Sequence, residues 1–236
     1  MLSSKFAYLL GDLYFLAIWL YFFWKWPNRR KPLWVVGTLA IIVGVCAEYF
    51  WWTSDWWYPK TITGTRIGIE DILLSFTLPG ISALVYKFFF NKDLDRKFEL
   101  NKKTFFAAMR RLTPMVLISF GAAAVLFYFF HVASFISTPV GMLIAGLYIL
   151  YFRNDLAAPV LWSALLVALI SLPVYIFWQI AVPGFIDDFW NISRLSNFRI
   201  FGAPVEDIIW FAMAGFVMGG LVEYAFDHRL VDAKDA

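Results

Sequence analysis

Cysteine, histidine and charge are all scarce in this chain, and each shortage removes a class of chemistry. Cys46 is the only cysteine in 236 residues and lies inside an apolar block. No internal disulfide can form, a thiolate there would be poorly solvated, and the expected role is packing. The two histidines, His131 and His228, fall on opposite sides of the membrane in the arrangement derived below, so no His-based site forms and no metal is expected. No Gly-rich phosphate loop, serine nucleophile elbow or Cys-x-x-Cys motif occurs. Charged residues make up 16% of the chain, against roughly 25% in a soluble domain. The net charge of +3 comes from basic residues spread through short polar stretches and gives no nucleic-acid footprint. An Ala-x-Ala-like cleavage site is also missing before the basic cluster that follows Trp26, so the first apolar stretch is expected to stay as a helix.

What abounds is apolar surface. Hydrophobic residues reach 61%, gathered in long blocks, and twelve Trp, eleven Tyr and twenty-six Phe accompany them. Clusters such as Trp51-Trp52 and Trp56-Trp57-Tyr58 sit where blocks end, as interfacial anchors do. A crossing helix needs about 20 apolar residues. Seven blocks qualify: 6–24, 33–52, 67–90, 112–131, 137–152, 158–180 and 203–226. This predicts an all-α integral membrane protein, expected in the cell membrane. Loops after the first, third, fifth and seventh blocks hold fifteen Lys and Arg, among them Arg29, Lys92, Arg111, Arg153 and Lys234. The opposite side holds five: Lys5, Lys60, Arg66, Arg194 and Arg199. That bias places the N-terminus out and the C-terminus in.

The chain also repeats itself. Asp55-Trp-Trp57 leads through a loop with Arg66 to Gly68-Ile-Glu70-Asp71-Ile, and Asp188-Phe-Trp190 leads through a loop with Arg199 to Ala203-Pro204-Val-Glu206-Asp207-Ile. The predicted organisation is a three-helix repeat over 1–90, a basic cytoplasmic linker with a connecting fourth helix over 91–136, and a second three-helix repeat with a tail over 137–236. Three helices plus a connector bring the chain back to its starting side. The repeats are then parallel (3+1+3), and both acidic pairs start from the same face.

Acidic residues in a first helical turn have an ordinary explanation, favourable interaction with the helix dipole for roughly 0.3–1 kcal/mol, and a proline at the same place is equally ordinary. Recurrence at matching places beside Ile, Val and Leu argues for more. Carboxylates facing lipid are costly, so Glu70, Asp71, Glu206 and Asp207 are expected to point into the bundle as catalytic candidates. A close pair of acids can hold one proton and one negative charge, which suits general-acid chemistry on an apolar substrate. Thr77 shares a helix face with Glu70, and Trp210 and Met213 share one with Glu206. These three, with Trp57 and Trp190, are the candidate substrate contacts. Asp12, Glu48, Pro204, Arg66 and Arg199 are candidate supporting residues, whereas Glu223 and Asp227 are expected to be structural.

An aromatic Asp-Trp-Trp or Asp-Phe-Trp stretch followed by a Pro-x-Glu-Glu-like motif opening a helix, present twice, resembles the membrane lycopene cyclases of the heterodimeric and fused bacterial, archaeal and fungal type. The resemblance covers nearly the whole chain. It implies closure of the ends of linear lycopene into β-rings without net redox change, driven by a proton from the acids of this motif. Pro204, Glu206 and Asp207 match the motif in the second unit, and Glu70 and Asp71 match it in the first. Asp stands at the second acidic position both times, and Gly68 stands where the first unit's motif would have proline.

The leading expectation is therefore a carotenoid end-group cyclase in which protonated Glu206 or Glu70 attacks a terminal double bond and a partner carboxylate takes a proton afterwards. The implied partners are membrane lipid and a hydrophobic isoprenoid, with no nucleic acid. The residues specify neither a flavin or nicotinamide nor an oligomeric state, and an oligomer is allowed. One rival is a non-enzymatic seven-helix carotenoid or lipid binder resembling microbial rhodopsins. It could not carry retinal as a Schiff base on the last helix, because no lysine lies between Gly202 and Phe226. A second rival is a proton-coupled transporter, disfavoured because the third and seventh helices are expected to lack a Gly/Pro break at mid-membrane.

Overall fold

A computed structural model describes residues 4–233. Lys234, part of the charge argument above, lies outside the described residues. Among the described residues, seven helices are long and apolar enough to cross a membrane: α1 Ser4–Lys25, α2 Pro27–Asp55, α3 Ile69–Phe89, α4 Lys102–Phe129, α5 Ser134–Phe152, α6 Asn154–Ala181 and α7 Val205–Phe226. They coincide with the apolar blocks except at their ends. The largest difference is α4, which begins ten residues before the expected 112 because Asn101 and Thr104 close a reciprocal cap there. Asn101 Oδ1 accepts the Thr104 amide at 3.0 Å, and Thr104 Oγ1 accepts the Asn101 amide at 2.9 Å. Half of the supposed basic linker is therefore helix.

Helix α3 packs against α1 and α2, and α7 packs against α5 and α6. Contacts of α3 with α6 and α7 join the two groups, while α4 rests on α5 and on the last turns of α7. Pro79, Pro114, Pro139 and Pro173 all sit inside helices, which a bundle tolerates where neighbours satisfy the freed backbone. Helix α3 runs unbroken through Pro79-Gly80, but α7 does not match its expected continuity. It breaks at Gly219-Gly220, where Ser163 and Val160 of α6 occupy the space that side chains would need. Cys46 corrects another expectation: it lies exposed on the outer face of α2 rather than in the packing.

The two ends of the bundle differ. At the end bearing Glu70-Asp71 and Glu206-Asp207, here the acidic end, the loops before α3 and α7 are stitched together. Trp57 and Trp190 form an antiparallel bridge, with the Tyr58 amide donating to the Phe189 carbonyl at 2.6 Å and the Asn191 amide to the Trp56 carbonyl at 2.7 Å. At the opposite, basic end, strands β1 (Lys92–Leu94) and β2 (Leu230–Asp232) pair antiparallel. Arg29 bonds Asp93 at 2.6 Å beneath them. Next to this, inside the bundle, Lys87 of α3 and Glu223 of α7 form a fully buried ion pair. Glu223 thus has a structural partner, and Asp227 bonds Arg111 at 3.3 Å. Sequence spacing gave no hint that Lys87 would turn inward.

Candidate active site

The first turns of α3 and α7 share one hydrogen-bond pattern. Glu70 Oε1 accepts the Ile62 amide at 2.6 Å and Glu206 Oε1 accepts the Ser196 amide at 2.7 Å, so each glutamate ties down the loop preceding its helix. The next residue turns inward. Asp71 Oδ1 accepts the Tyr8 hydroxyl at 2.7 Å, and Asp207 Oδ2 accepts the Tyr175 hydroxyl at 2.7 Å. Asp71 Oδ2 also accepts the Gly68 amide at 2.6 Å, which is the local capping expected of a first-turn acid. Asp207 Oδ1 has no hydrogen-bond partner among the described residues. All four carboxyls are buried.

Both aspartates line a single cavity of about 510 Å³. Its acidic end also takes in Tyr8, Asp12 and Glu48 on one side and Tyr175, Trp190 and Trp210 on the other. Asp12 and Glu48 are 1% and 2% exposed, and each keeps an unpartnered oxygen. Glu48 opens a π-helical turn, Glu48–Trp52, that ends the long part of α2; such turns re-aim side chains and recur at functional sites. Trp52, Trp56 and Trp210 form a group of mutually edge-on rings, Trp52 to Trp210 at 5.2 Å and Trp56 to Trp210 at 6.4 Å between centroids. Beyond them the wall is aliphatic and aromatic, with Phe15 stacked on Phe211 at 5.6 Å. Ring faces around an apolar chamber are suited to hold a cation, for about 2 kcal/mol when desolvated.

Of the residues expected at the site, Asp71, Asp207, Trp57, Trp190, Trp210, Asp12 and Glu48 line this cavity. Glu70 and Glu206 stand behind the aspartates and face the loops. Thr77 is buried against its own helix, donating to the Leu73 carbonyl at 2.8 Å, and Met213 packs against the apolar cluster between α4, α5, α6 and α7 without lining the chamber. Pro204 directly precedes α7 and pairs with Arg199 in a two-residue ladder. Arg66 donates to Thr53 Oγ1 and to the Tyr49 carbonyl, both at 2.6 Å, and pins the end of α2. Arg199 pairs with Asp187 at the surface. Tyr8 and Tyr175 were not foreseen, because one comes from the start of α1 and the other from α6, and nothing in their local sequence marks them.

A family model described as lycopene cyclase matches residues 2–89 and 133–225, which include both acidic pairs, both tyrosines and both halves of the tryptophan bridge. The chain belongs to the lycopene cyclase family. No curated protein and no solved structure matches it. As a member of that family with seven membrane-length apolar helices, it is an integral membrane protein. The stretch between the two matched parts, 90–132, contains β1 and α4. Away from its carboxyl end the chamber is lined mostly by apolar side chains, with Ser75, Thr113, Ser119 and Thr138 among them.

Proposed function

We propose that this protein is a carotenoid end-group cyclase of the lycopene type, an intramolecular isomerase working inside the bilayer. The observation that carries the reading is that Asp71 and Asp207, from two separate helices, face one apolar, aromatic-walled cavity. Asp207, with Oδ1 free and Oδ2 held by Tyr175, is the proton donor. The proton moves from its carboxyl to the terminal double bond of the polyene, leaving a tertiary cation that the next double bond along the chain attacks to close a six-membered ring. Asp71, whose two oxygens each accept a donor, bears the balancing negative charge. Loss of a ring proton to a carboxylate of the site then completes a β-ring with no change in redox state. The Trp52, Trp56 and Trp210 faces stabilise the migrating cation. Burial of the whole site excludes water that would otherwise capture the cation. Glu70 and Glu206 hold the loops so that the aspartates keep their aim.

On this reading the two groups α1–α3 and α5–α7 are parallel repeats joined by α4, and the acidic end lies on the outer side of the cell membrane. The matching roles of Glu70 and Glu206, and of Asp71 and Asp207, support the repeat. The test is expression in a lycopene-accumulating host with product analysis. Cyclised carotenoid is expected from the native chain and not from the Asp71→Asn/Asp207→Asn double variant. A well-inserted native protein that leaves lycopene unchanged overturns the proposal.

A further inference from the structure

The cavity is not sealed from the lipid. Among the described residues no packed interface joins α2 to α4: α2 rests on α3, and α4 on α5 and the end of α7. Ile42 of α2 and Leu117 of α4 both line the cavity, yet they are 65% and 67% exposed. At these positions the chamber wall is also the outer surface of the protein. The gap is closed at one end. Towards the acidic end, Trp51 packs on Phe120 at 5.6 Å and the Tyr128 hydroxyl donates to the Phe50 carbonyl at 3.2 Å. Towards the basic end α4 is held to α7 instead, where Arg111 donates to the Ala225 carbonyl at 3.0 Å. What remains is a slot between α2 and α4, framed at the acidic end.

The chamber behind the slot is long and thin. Met109 and Ala123 both line it from the unbroken part of α4, and at about 1.5 Å of rise per residue they stand roughly 21 Å apart along that helix. That is about two-thirds of the ~30 Å thickness of the hydrocarbon layer. A shape so tall and narrow suits an extended polyene lying along the membrane normal, with one end at the carboxyls and its tail towards the basic end. Only one end of such a molecule meets the acids at a time.

We infer that a linear polyene enters sideways from the bilayer through the slot between α2 and α4 and binds upright, so that one end group is closed per binding event. This deepens the cyclase reading and rests on it. The test uses Ile42→Cys/Leu117→Cys on a Cys46→Ser background, in lipid nanodiscs, bridged by a reducible bifunctional thiosulfonate, with lycopene as the probe. Binding is read by quenching of tryptophan emission, independently of turnover, and ring formation by product analysis. With the bridge in place, quenching on mixing with lycopene vesicles is expected to slow at least tenfold, and to recover on reduction. A bridge between Leu143→Cys and Leu147→Cys on the outer face of α5 is expected to change nothing.

Unaltered quenching with the α2–α4 bridge confirmed by mass, or equal slowing by the α5 bridge, overturns the slot. If the cysteine pair does not fold, Ile42→Phe/Leu117→Phe narrows the gap instead, and an unchanged entry rate overturns the inference equally. Bridge-sensitive quenching without any ring product supports the slot and removes the cyclase reading. Ring product at full rate through a bridged slot does the reverse. Monocyclic product is expected before bicyclic, and bicyclic product with no monocyclic precursor overturns the upright pose.

Discussion

Asp71 and Asp207 differ at one oxygen: both oxygens of Asp71 accept a hydrogen bond, whereas Oδ1 of Asp207 has no partner. If Asp207 is the donor, Asp207→Asn should lower the single-turnover rate of ring formation by about 10²–10⁴, the usual worth of a positioned general acid. Glu206→Gln, which can still accept the Ser196 amide, should lose far less. Equal losses in the two variants would return the donor role to the glutamate. The sequence announced both acidic pairs and the helix starts they occupy. It could not say which member of each pair faces the chamber, because adjacent helical residues point about 100° apart and tertiary packing sets the rotation. Trp210 lay on the cavity side of either acid, being four residues beyond Glu206 and three beyond Asp207, whereas Thr77 and Met213 kept company only with the glutamates. The tyrosines bond aspartates across 63 and 32 residues of sequence, a separation no local pattern spans.

Helices α3 and α7 are joined near the basic end by Lys87 and Glu223, 2% and 0% exposed at the side chain. Removing one partner of a buried pair leaves a lone charge and costs about 3–5 kcal/mol, whereas replacing both by apolar residues is often neutral. Lys87→Met should therefore lower the unfolding midpoint in detergent sharply, and Lys87→Met/Glu223→Leu should restore most of it. The two-stranded ladder closing that end has its own pH signature. Burial alone would raise the Asp95 carboxyl, but the Arg229 amide at 3.2 Å, the His228 ring at 3.1 Å and Arg96 outweigh it and hold Asp95 below the ordinary carboxylate range. A depressed folded value means that the contact stabilises above about pH 4. It is lost as pH falls through the lowered value. Protease release of the segment after Asp227 should rise in acid, and Asp95→Asn should remove that acid dependence while loosening the segment at neutral pH. The helices themselves were legible from length and hydropathy. Their ends were not, since a cap such as Asn101–Thr104 can carry a helix well into basic sequence.

Orientation is a property of the whole molecule, and the uneven spread of Lys and Arg between its two ends sets the expectation. A reporter fused after the last helix should be active in the cytoplasm, and a tag before Ser4 should be accessible from outside; the opposite result would move the acidic end to the inner leaflet. Span number and the doubled motif could be read directly from the chain. The meeting of the two motifs in one cavity could not, because it depends on how α3 sits against α6 and α7. The backbone bridge at Trp57 and Trp190 ties the halves directly where the acids lie. A seam sewn at that spot means the halves cannot swing apart to admit cargo without also letting the bath in on the acids. Loading and secrecy must then be handled by different walls, and on the proposed reading the pace of the protein is set by how quickly an oily rod drifts edgewise through the bilayer to find its doorway.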